Sequence, residues 1–234
     1  MRMKNKKNEQ IADRKRHREQ LKSKRRQEPS LERKSLNLST KPSILIVCEG
    51  ENTEKSYFDQ FRVSSAVIKS VGTGFNTCSL VNRAKKIADV EEYNQVWCVF
   101  DKDEFSNYSF NKAVHNAEKL GYGVAYSNQA FEYWLILHLD DHQGSMMNRE
   151  NYKDKINELL KPFGIEFDAD GRKIVKEDLF DILNGIDHKS KKKRVDLAIE
   201  RAEKIYNCLD HRNPATEESS TTVFKLVSEL MKYV

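Results

Sequence analysis

Long apolar runs are missing from this 234-residue chain, and so is any pattern of cysteines that bridges or chelates. No stretch approaches the roughly 20 apolar residues that a membrane helix needs. Met1-Arg2-Met3-Lys4 leads into charge, not into the apolar core of a signal peptide, so the expectation is a cytoplasmic protein with no membrane partner. The four cysteines, Cys48, Cys78, Cys98 and Cys208, make no CxxC pair, and the six histidines have neither zinc spacing nor an HExxH motif. A disulfide framework and a zinc site are therefore not indicated. A P-loop is absent too: Glu49-Gly50-Glu51-Asn52-Thr53-Glu54 stands where its glycines and lysine would be, which argues against hydrolysis of a nucleoside triphosphate by this chain. Nothing resembles a serine nucleophile elbow.

What the chain has in quantity is charge, 33% of residues against 38% hydrophobic, and the charge is unevenly placed. Residues 1–35 hold 14 Lys/Arg and 5 Asp/Glu, so the remainder carries a net −4 although the whole chain is +5. Residues 1–38 read as a basic arm, either a phosphate-contacting segment or a solvated tail. It has no aromatic to stack on bases.

Ser39-Thr40-Lys41-Pro42 punctuates the junction, and residues 39–140 then alternate. Strands are expected at 43–48, about 67–71, 95–100 and 123–127, with helices near Tyr57, from Ser79 to about Tyr93, from about Asn111 to Leu120 and from Phe131 to Leu139. This βαβαβαβα order predicts an α/β fold: an open, mostly parallel four-stranded sheet with helices on both faces. Cys48 and Cys98 fall inside apolar strands and read as core. Residues 141–234 change texture and read as a mainly helical extension packed on the core.

The chemistry sits where two apolar runs end. Ile44–Cys48 runs into Glu49-Gly50-Glu51, and Val96–Phe100 runs into Asp101-Lys102-Asp103-Glu104. Open α/β sheets place their sites at the carboxyl ends of strands, so Glu49, Asp101 and Asp103 are expected to converge. Asp101 and Asp103, two apart, point to one side of the strand. Clustered carboxylates suit Mg²⁺, or Mn²⁺, and metal-assisted phosphodiester hydrolysis. A phosphatase or a sugar-nucleotide transferase can also use Asp-x-Asp, but leaves Glu49 unexplained. Glu132, in the first turn of the helix after strand four, is either a further ligand or an acid complementing the helix dipole. His138 reads as a buried, hydrogen-bonded histidine. Lys189 to Arg194 read as a solvated helix start or a contact for a partner or a phosphate.

Four blocks in order, ILIVCEGENTEKSYF at 44–58, VFDKDEF at 99–105, AYSNQAFEYWLILH at 125–138, and Asn213-Pro214 with Thr221-Thr222-Val223, resemble the RloB-like proteins, which have a Toprim-type catalytic core. The resemblance implies Mg²⁺ bound by Glu49, Asp101 and Asp103; the residue pattern adds Glu132 as a further catalytic residue, a ligand or an orienter of the attacking water. It implies nuclease activity on DNA or RNA, tRNA included, in abortive-infection or restriction-linked antiviral defence with a separate AAA/ABC-type ATPase. The competing expectation is a non-enzymatic nucleic-acid-binding or regulatory subunit that keeps the fold.

Overall fold

The computed structural model describes residues 14–17, 19, 42–63, 66–70, 77–102, 105–145 and 147–234. The chain divides into two units, Met1–Thr40 and Lys41–Val234. In the first, the described residues Arg14, Lys15, Arg16, His17 and Glu19 are helical and exposed; the rest of the basic arm lies outside the described residues.

In the second unit β1 (Ile44–Cys48), α1 (Thr53–Asp59), β2 (Ala66–Ser70), α2 (Thr77–Ala88), β3 (Gln95–Asp101), α3 (Asn107–Lys119), β4 (Gly123–Asn128) and α4 (Glu132–Leu139) follow in turn. Then come α5 (Glu150–Leu160), α6 (Glu177–Asn184), α7 (Arg194–Asn207), the two-residue strand β5 (Ser220–Thr221) and α8 (Val223–Leu230). The sheet order is β2-β1-β3-β4-β5. β1, β2, β3 and β4 are parallel and β5 is antiparallel. The fold is thus the expected α/β sheet, with one strand more than the four anticipated. Two residues are too few for strand periodicity to register, and β5 exists because β4 offers it an edge. Thr222 fastens that edge, its Oγ1 accepting from the Tyr126 amide at 2.9 Å and donating to the Val124 carbonyl at 3.0 Å.

Strand alternation divides the core in two. Leu45, Val47, Cys98, Phe100 and Tyr126 face α2 and α3, where Leu80, Ala84, Phe110 and Ala117 meet them. Ile44, Ile46, Cys48, Val99 and Ala125 face the larger core built by α1 and α4 to α8. Cys48 and Cys98 are both buried, as core thiols should be. Helix α4 buries Glu132 to His138 without a break. It is apolar nearly all round because α5, α6 and α7 enclose the side the sheet leaves open. His138 is among these buried residues, with Tyr57 Oη 3.3 Å from Nε2 and the Trp134 carbonyl 3.0 Å from Nδ1. Burial depresses its pKa to about 3, so the ring is neutral.

Helix ends account for most of the differences from expectation. α3 begins at Asn107, not near Asn111, since Ser106 caps it by accepting the Ser109 amide at 3.2 Å. The segment before α7 is a turn, in which Asp187 accepts from the Ser190 amide at 2.7 Å and helix starts only at Arg194. Residue 71, the expected end of the second strand, lies outside the described residues.

Candidate metal centre

Strand order turns β1 and β3 into neighbours whose chains leave in opposite lateral directions, β1 toward β2 and β3 toward β4. A crevice opens at the carboxyl edge of such a switch point. Glu49 leaves β1 there, its amide still donating to the Val99 carbonyl of β3 at 2.9 Å. Asp101 is the last residue of β3. Its Oδ2 accepts the Phe131 amide at the entry to α4 at 3.1 Å, which ties the second acid to the helix that carries Glu132. Asp103 lies outside the described residues.

The structure adds an acid that strand-end reasoning passed over. Glu54, in the first turn of α1, is buried and folds back over Gly50. A Cβ on residue 50 would come 2.2 Å from Glu54 Oε2, so the Glu54 carboxylate would have to shift if residue 50 were not glycine. A first-turn acid five residues beyond Glu49 was the available signal. Glu132 is also buried, its Oε1 accepting from Lys173 Nζ at 2.9 Å.

Three of these carboxyls, Glu49, Glu54 and Asp101, hold their protons more strongly than free acids do. Burial, and the charge of Glu54, push Glu49 up to about 7, against the pull of the Asp101 amide and Arg149. Burial raises Glu54 as well, helped by Glu132. Asp101 is raised by burial and then by Glu54 and Glu132. Desolvation and like-charge repulsion act together here. Two cations moderate it. Arg149, whose amide donates to Gln129 Oε1 at 3.1 Å, favours ionised Glu49, Glu54 and Asp101. Lys173 sits on a loop strapped to α1, where Thr53 Oγ1 donates to its carbonyl at 2.9 Å and Ser56 Oγ accepts the Val175 amide at 2.8 Å. No periodicity or local motif marks Arg149 or Lys173.

Among the described residues no three His, Cys, Asp or Glu side chains form a ready coordination shell. The donor set nevertheless suits a hard cation: it is all carboxylate oxygen, it is crowded, and an ammonium group already rests on one member. One consequence is testable without any substrate. Glu49 binds its proton more tightly folded than unfolded, so the native state carries the extra proton between about 4.5 and 7 and stability falls as pH rises through that window. The metal-free protein should melt lower at pH 8 than at pH 5, and the drop should shrink in Glu49→Gln. Mg²⁺ should restore wild type most at pH 8. An equal drop in the variant would remove Glu49 from the cluster.

A family model described as RloB-like protein matches residues 44–230. No curated protein and no solved structure matches the chain.

Proposed function

The chain belongs to the RloB-like family, and we propose that it is a metal-dependent nuclease with a Toprim-type core that hydrolyses a phosphodiester of DNA or RNA, with tRNA among its candidate substrates. One observation carries this reading: half-buried acids from adjacent parallel strand ends stand at the switch point and resist ionisation there. Glu49, Asp101 and Asp103 would hold Mg²⁺ or Mn²⁺, with Glu54 beside them. When bound, such an ion supplies Lewis acidity to phosphate oxygens and lowers the pKa of water.

The chain's own groups do the remaining work. The Phe131 amide orients Asp101, and the Asp101 amide orients Glu49. Glu132 either adds a ligand or positions the attacking water, and Lys173 holds its carboxylate in place meanwhile. Arg149 and Lys173 bring positive charge to the edge where a phosphodiester enters.

In this reading the protein is the effector of an abortive-infection or restriction-linked defence system, and a separate AAA/ABC-type ATPase supplies the nucleotide chemistry that a chain without a P-loop lacks. Purified alone and with such an ATPase, it should cleave tRNA, single-stranded RNA or plasmid DNA in Mg²⁺ or Mn²⁺ and stop in EDTA, with weak activity alone. Nucleic-acid affinity that survives EDTA, without cleavage under any condition, would instead identify a binding subunit.

A further inference from the structure

The helical layer formed by α2 and α3 differs in charge from the rest of the folded unit. Thr77–Ala88 and Asn107–Lys119 together carry Arg83, Lys85, Lys86, Lys112 and Lys119 against Glu118 alone. All five cations are exposed. Several lysines elsewhere in the folded unit are paired, Lys55 with Asp59, Lys153 with Asp168, Lys155 with Asp140 and Lys192 with Glu200. Among the described residues Arg83, Lys85, Lys86 and Lys119 have no such carboxylate partner.

Geometry makes this a directed surface. On α3, Tyr108, Lys112, His115 and Lys119 follow at spacings of four, three and four, one stripe down the solvent side. The rise from Tyr108 to Lys119 makes that stripe about 17 Å long. Cys78 Sγ donates to the Ser109 carbonyl at 3.6 Å, which sets the starts of α2 and α3 side by side. Both helices precede the next parallel strand, so those starts lie at the carboxyl edge of the sheet, the edge of Glu49 and Asp101. Tyr108 stands there 73% exposed, with Lys112 Nζ 5.6 Å from its ring centroid.

We infer that the outer face of α2 and α3 is a track for a single-stranded segment of nucleic acid, with its cations on successive phosphates and Tyr108 stacked on an unpaired base beside the acids. Charge complementarity selects a polyanion, and an exposed aromatic at the acidic end selects bases whose faces are open. That the strand runs toward the acids rests on the nuclease reading; that it binds here does not.

The test is binding, in EDTA, of a fluorescein-labelled oligouridylate to the full chain, followed by anisotropy across a salt series. The triple variant Arg83→Gln, Lys86→Gln, Lys112→Gln should weaken binding more than tenfold and flatten the slope of log affinity against log salt by about 2. Tyr108→Ala should weaken it about tenfold. Tyr108→Phe should bind as wild type, and a duplex of the same length should not distinguish Tyr108→Ala from wild type. Because all four residues are exposed, unchanged far-ultraviolet dichroism and melting should accompany these losses. Unaltered affinity and slope in the triple variant would overturn the track, as would a variant that keeps oligouridylate binding while losing only a protein partner. Track-dependent binding by a protein that never cleaves would leave the track standing and remove the nuclease.

Discussion

Glu49→Gln is expected to reduce Mg²⁺-dependent cleavage about 10³-fold, the loss that follows when several kcal/mol of metal-assisted stabilisation of the transition state is removed. The substitution keeps the side chain's size and its ability to accept the Asp101 amide, so the local backbone should hold. It removes a charge from a site where Glu54 already repels it. The metal-free variant should therefore melt no lower than wild type at pH 8, and higher if relief of repulsion outweighs the altered hydrogen bond. Single-turnover cleavage, melting curves and Mg²⁺ titration by calorimetry together separate the outcomes. Wild-type cleavage rates in the variant would refute the assignment of Glu49. Loss of cleavage with loss of folding would point to a structural role instead.

The largest expected effect on stability lies in α1, behind Glu54. Tyr57 is fully buried, and its ring packs edge-on against Phe58, Phe61, Phe131, Trp134, His138 and Phe180. It links the helix that carries Glu54 to the helix that carries Glu132. Truncating a buried aromatic of this size typically costs about 3–5 kcal/mol, a large share of the roughly 5–15 kcal/mol that holds a domain together. Tyr57→Ala should lose that amount in urea denaturation. Tyr57→Phe keeps the ring and removes the hydroxyl that meets His138 Nε2 and the Trp134 side chain, for about 1 kcal/mol. If the two variants were equally destabilised, the hydroxyl would matter more than the packing.

The carboxyl-terminal block of the resemblance serves the sheet. Asn213 and Pro214 dock on α3 and β4, where Asn111 Nδ2 donates to Asn213 Oδ1 at 2.6 Å and Asn128 Nδ2 donates to the Pro214 carbonyl at 2.7 Å. Thr221 and Thr222 bond the edge of β4, and through it they support the strand that leads to Glu132. Polar residues that carry part of the family resemblance hold the scaffold beneath the site.

The sequence by itself determined the alternation of strands and helices, the burial of Cys48, Cys98 and His138, and the placing of Glu49 and Asp101 at strand ends. Each of these follows from patterns a few residues long: apolar runs of strand length, helical spacing, and a change to acids where a run stops. Tertiary structure alone decided which strands became neighbours, and therefore that the ends of β1 and β3 share one edge. It also made a strand of Ser220 and Thr221, turned Glu54 over Gly50, and brought Lys173 to Glu132 across 41 positions. The physical reason is common to all of these. Backbone preference and amphipathic period act over one or two turns of chain, whereas an ion pair or a sheet edge depends on the closure of long loops around a shared core.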